Sequence, residues 1–80
     1  MSKAGDVVLV VARALAGRPD DVKVEELERP GQVIVELSMA PGELGRIIGR
    51  QGRTAAAVRT LAATAGELEG NRVVVDFRDE

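Results

Sequence analysis

The stretch Ile47-Ile48-Gly49-Arg50-Gln51-Gly52-Arg53-Thr54 places two glycines three residues apart, between an apolar pair and the start of a helical pattern. Glycine pairs at this spacing are common and often mark only a tight turn. The surroundings decide what this one is. Leu44, Ile47 and Ile48 recur at spacings of three and four and predict a short helix that Gly49 ends. Pro41 is read at the first helical position, and Glu43 favours that end through the helix dipole. After Gly52 a second helix is expected to about Ala65, burying Ala55, Val58, Leu61, Ala62 and Ala65, with Gly66 as its terminator. The glycine pair is therefore a helix–helix junction.

Upstream, Val7, Val8, Val11, Ala12 and Leu15 fit one helical face over residues 4–16, despite the β-propensity of VVLVV. Gly17 reads as the C′ residue, with Pro19 beyond it. Val22 and Val24 begin a strand over 22–29. Arg29-Pro30-Gly31-Gln32 is a turn, and Val33, Val35, Leu37 and Met39 alternate with polar or outward residues in a second strand. Glu67 to Asn71 is a polar loop before a last strand, 72–77, with Val73, Val75 and Phe77 on one face. The order is α-β-β-α-α-β. The last strand follows a two-helix crossover, so it should run parallel to the second strand with a right-handed connection. The expected fold is α+β: a three-stranded mixed sheet with three helices on one face, in a single domain over residues 1–80.

Composition narrows the function. The 80 residues contain no cysteine and no histidine, which removes thiolate metal sites, disulfides, the commonest metal ligand and the commonest general base. No carboxylate pair stands in a catalytic context, so no catalytic residue, cofactor or metal site is expected. No apolar run is long enough to span a membrane, and Asp6 and Arg13 make residues 1–17 a poor secretory signal. A cytoplasmic protein that is not an enzyme fits best. The net charge is −2, which alone argues against a polyanion partner. Its distribution argues otherwise: from Leu44 to Gly66 there are Arg46, Arg50, Arg53 and Arg59 and no acid, a +4 segment on a −6 body.

At the junction, Gly49 and Gly52 permit positive φ and close approach of another chain. Free N–H groups at the start of the following helix attract phosphate. Arg50 and Arg53 add charge, and Gln51 adds a donor. These features favour an anionic backbone and read no base. Arg46 and Arg59 serve equally well as solvated helix surface. Gly42-Glu43-Leu44-Gly45 repeats the spacing with an acid in its middle, which repels phosphate, so its glycines read as turn and packing residues. Gly52-Arg53-Thr54 looks like the end of a P-loop, but position 47 is Ile and position 53 is not Lys.

The order α-β-β-α-α-β with IIGRQGRTAAAVR at the helix–helix junction resembles a K-homology (KH) domain of the prokaryotic type, type II. Almost the whole chain is covered. The segment Ala40 to Arg53 and the strand Val73 to Val75 are most similar to the small stand-alone bacterial KH proteins of the KhpA (YlqC) family. The resemblance implies single-stranded RNA binding, with a Gly-x-x-Gly loop clamping about four nucleotides and a narrow apolar groove for the bases. By match to the motif, Gly49, Arg50, Gln51 and Gly52 take the phosphate side. Ile48, Ala55, Val58 and the last strand form the groove, with Arg53 and Arg46 as added contacts. It also implies a chaperone-like or regulatory role, and partnership with a second copy or a larger KH-containing RNA-binding protein. The alanine run from Thr54 to Ala65 reads either as tight helix packing or as a dimer face. A KH fold used only as a dimerisation module is the alternative. With Phe77 as the sole aromatic residue, base stacking is not expected to be the main mechanism.

Overall fold

Strict alternation builds the sheet. In the computed structural model, which describes residues 1–79, β1 spans Lys23–Arg29, β2 Gln32–Met39 and β3 Arg72–Asp79. β1 and β2 pair antiparallel about the two-residue Pro30-Gly31 loop, with Arg29 opposite Gln32. β2 and β3 pair parallel, with Val33 opposite Val73, Val35 opposite Val75 and Leu37 opposite Phe77. The order is β1-β2-β3, the mixed sheet expected. β2 is central, so its inward residues Val33, Val35, Leu37 and Met39 are all buried.

Three helices cover the inner face: α1 (Lys3–Leu15), α2 (Leu44–Ile48) and α3 (Arg53–Leu68). The architecture is that of a type II KH domain. The Ser2 side chain caps α1, its Oγ accepting from the Gly5 N–H at 3.0 Å. The closest line of α1 is Ala4, Val8 and Ala12, all buried. Val7 and Val11 pack on its flank, while Leu15, in the last turn, reaches past the packed surface and is exposed. The small residues of this line let α1 lie against the alanine face of α3. The outer face of the sheet is polar at several positions. There Arg78 bridges Glu36 at 2.6 Å and Asp76 at 3.1 Å. The Asp76 hydrogen bond first, and the Glu36 charge second, hold its pKa above the usual arginine value.

Four details refine or correct the sequence reading. Gly17 does stand at C′, just past the C-cap, but without left-handed backbone: α1 leaves through an extended Ala16, φ −70° and ψ 141°. Pro41 does not open a helix. It occupies a turn closed by the Glu43 N–H on the Ala40 carbonyl at 3.0 Å, with Gly42 at φ +82°, a conformation that cannot continue into a helix. Hence α2 starts only at Leu44. Gly66 does not terminate α3, which runs on to Leu68. Gly66 is buried where the helix crosses β3, and a Cβ there would collide with the Val73 side chain and lie 2.9 Å from the Asn71 carbonyl oxygen. Leu61 is not on the buried face but 52% exposed. The strip of Ala55, Val58, Ala62, Ala65 and Gly66 makes the contact, and Leu61 projects beside it.

Candidate nucleic-acid interface

The loop between α2 and α3 is a chain of unusual dihedrals. Gly49 caps α2 at φ 73° and ψ 179°, a region open essentially to glycine alone. Arg50 to Gly52 form one 3-10 turn. Within it Gln51 takes φ 57° and ψ 24°, and Gly52 takes φ 70° and ψ 13°. Gln51 is the only non-glycine residue with positive φ among those described. Left-handed backbone costs a non-glycine residue about 1–2 kcal/mol, and no feature of the sequence signalled it. The turn is held by Gly49 N–H on Gly45 O at 2.9 Å and Gly52 N–H on Gly49 O at 3.2 Å.

This geometry turns side chains outward and leaves the start of α3 open. Arg50, Gln51 and Arg53 are exposed, and Ile48, Gly49 and Gly52 are half-buried. α3 has no side-chain cap at its N-terminus, so its first-turn N–H groups have no side-chain acceptor. The positive end of the α3 dipole is therefore flanked in sequence by two exposed arginines, Arg50 and Arg53. Thr54 packs so closely under Gly49 that a Cβ at Gly49 would lie 2.8 Å from the Thr54 Cβ.

The remaining expected site residues are placed differently. Ala55 and Val58 are 4% and 1% exposed, because they face the sheet and form part of the core beneath the loop. They support the surface and do not line an open groove. Arg46 turns away from the loop: its Nε donates to Glu43 Oε2 at 2.9 Å. Glu43 is the residue the sequence reading undervalued. It is buried, and its carboxylate accepts from the Gly17 N–H at 2.9 Å and the Arg18 N–H at 2.7 Å. It thus ties the end of α1 to the start of α2 and fixes the base of the loop. Gly17 is required for this approach, since a Cβ there would lie 2.8 Å from Glu43 Oε2. Arg46 is exposed but paired with Glu43, and among the described residues the cations of the α2–α3 segment outside any ion pair are Arg50, Arg53 and Arg59. Arg59 lies on α3 with its Cζ 4.6 Å from the centroid of the Phe77 ring. Among the described residues no helix is long and apolar enough to cross a membrane.

Comparison with known proteins agrees with this architecture. The family model described as "KhpA/KhpB, KH domain" matches residues 5–77. The RNA-binding protein KhpA of Caldanaerobacter subterraneus subsp. tengcongensis is 43% identical over 91% of this chain and 97% of its own. That of Aquifex aeolicus is 42% identical over 96% of this chain and 98% of its own. That of Clostridium perfringens is 38% identical over 90% and 96%. No solved structure gives a significant match. A family match over nearly the full length, on a fold of the expected order, places the chain in the KhpA/KhpB KH-domain family.

Proposed function

We propose that this protein binds single-stranded RNA, with the 49–52 loop as a backbone clamp. The relatives named above are RNA-binding proteins, and the observation that carries the reading is the loop itself. Three of its four residues take left-handed or glycine-only backbone, beside an uncapped helix start and the exposed Arg50 and Arg53. Such a surface complements phosphate oxygens. Ile48 offers the accessible aliphatic edge of the groove, and Ala55 and Val58 back it from beneath. The clamp itself reads no base. The protein acts as a cytoplasmic RNA chaperone or post-transcriptional regulator, not as an enzyme. It works with a second RNA-binding unit, either another copy or a larger KH-containing protein. Two or three phosphate contacts bind a single strand weakly, and linking two units raises the effective concentration of each.

Arg50→Asp with Gln51→Asp tests the clamp. Both side chains are exposed, and Asp tolerates the left-handed backbone at position 51. The double variant is expected to fold as wild type, by circular dichroism, and to lose binding to a fluorescent single-stranded RNA. For wild type, log K against log salt should slope by about −1.4 to −2.1, the value for two or three phosphate contacts to a single strand. A folded double variant with wild-type affinity, or a salt-independent constant, would sink the clamp reading. A second reading, a protein-interaction module with little RNA contact, draws on the exposed Val10, Leu61 and Leu68 of the helical layer. It predicts self-association that survives the double substitution and no measurable RNA binding by wild type.

A further inference from the structure

Phe77 is the only aromatic residue of the chain, and it is not sealed in the core. Its ring is half-buried on the inner face of β3, and the Arg59 guanidinium lies over it, Cζ 4.6 Å from the ring centroid. Arg59 is an exposed residue. It stands seven residues after Gly52, about 10 Å along the α3 axis from the loop. It also follows the buried Ala55 by four residues, or about 40° around the helix. Arg59 therefore borders the packed strip on the β3 side and does not point away from the sheet. The segment around it, from Leu44 to Gly66, contains no acidic residue.

We propose that Arg59, backed by Phe77, is a stacking subsite for one unpaired base of the RNA strand held at the loop, with purines favoured. The inference rests on the RNA-binding reading above. A guanidinium is planar with two faces, and it stacks on π systems as well as pairing with anions. In this proposal the Phe77 ring, with Arg59 Cζ 4.6 Å from its centroid, backs one face of the guanidinium through a cation–π contact. The opposite face is left as a flat, weakly hydrated platform of the kind on which unstacked RNA bases lie. Purines present the larger π surface and stack more strongly. Sequence preference then enters at a point where the backbone clamp supplies none. A chain with one aromatic residue gains a stacking site because an arginine extends that ring to the surface.

The test uses equal-length oligo(A), oligo(U) and an oligo(A) carrying a single 2-aminopurine, with full-length wild type, Arg59→Lys, Arg59→Ala, Phe77→Leu and the Arg50→Asp/Gln51→Asp variant. Lysine keeps the charge and loses the plane. Leucine keeps an apolar side chain under β3 and loses the ring. Wild type is expected to prefer oligo(A) and to quench 2-aminopurine. Arg59→Lys should weaken oligo(A) binding by about five- to tenfold, abolish the quenching and leave the salt slope unchanged. Phe77→Leu should reduce both affinity and quenching in the same direction. If Arg59→Lys binds oligo(A) and quenches as wild type does, the subsite is refuted. It is equally refuted if only Arg59→Ala weakens binding and the salt slope falls by about 0.7, because Arg59 is then a phosphate contact. Loss of quenching in Arg59→Lys while the loop double variant still binds RNA would retain the subsite and sink the clamp. Failure of wild type to bind any of the RNAs would overturn both.

Discussion

Alanine at Gly49 and alanine at Gly52 should have very different costs, although both change the same motif in the same way. At Gly49 the backbone sits at φ 73° and ψ 179°, where a residue with a Cβ is strained by about 1–3 kcal/mol. The new Cβ would also meet Thr54, lying 2.8 Å from its Cβ and 3.3 Å from its backbone nitrogen. Overpacking of this kind costs about 1–3 kcal/mol more. Reduced entropy of the unfolded chain returns about 0.4–1 kcal/mol, so the net loss is about 2–5 kcal/mol. At Gly52, φ 70° and ψ 13° is the ordinary left-handed well, costing about 1–2 kcal/mol, and nothing lies within 4 Å of the new Cβ. After the same entropic return the loss is about 1 kcal/mol. A chain of this length holds about 4–12 kcal/mol in total, so Gly49→Ala removes a large share of it. Urea and thermal denaturation followed by far-ultraviolet circular dichroism measure both. For a domain of this size each kcal/mol shifts Tm by about 4–8 °C, so the two melting curves should separate clearly. Equal destabilisation by the two substitutions, or a larger effect at Gly52, would refute the argument from Thr54 and the glycine-only backbone.

Two further substitutions probe the scaffold. Glu43→Gln keeps one acceptor oxygen but loses the charge that serves Gly17, Arg18 and Arg46. It should cost about 2–3 kcal/mol in urea unfolding, and a change below about 0.5 kcal/mol would mean that the carboxylate does not hold α1 to α2. Gly66→Ala forces a Cβ into the Val73 side chain and should cost about 1–3 kcal/mol even though alanine is the better helix former. A stabilised Gly66→Ala protein would show that α3 can lift from β3 freely.

Much of the fold was legible because its signals are local. Alternation at Val33, Val35, Leu37 and Met39 defined the central strand, and the two-helix crossover before Val73 required a parallel neighbour. The errors share one cause. Sequence predicts a turn at Pro30-Gly31 but a helix start at the same pair Pro41-Gly42, because the apolar stripe of Leu44, Ile47 and Ile48 pulls the expected boundary back. Glycine ends helices, which places Gly17 correctly just past α1 but misplaces the end of α3 at Gly66. Both are also places where another element comes too close for a Cβ, Glu43 at Gly17 and Val73 at Gly66. Nothing local distinguishes those two uses of glycine.

The candidate site divides in the same way. By itself the sequence determined that two glycines join two helices within an acid-free, arginine-bearing segment, and that the order of elements is α-β-β-α-α-β. Periodicity and charge counts are properties of neighbouring residues, so they survive in one dimension. Only the tertiary structure decided which side chains face the loop. It buried Ala55 and Val58, gave Arg46 to Glu43, set Gln51 in left-handed backbone and laid Arg59 over a ring eighteen positions further along the chain. Those outcomes depend on how closely α3 sits on β3 and α2 on the end of α1. Such distances are set by packing between segments remote in sequence, and no local pattern encodes them.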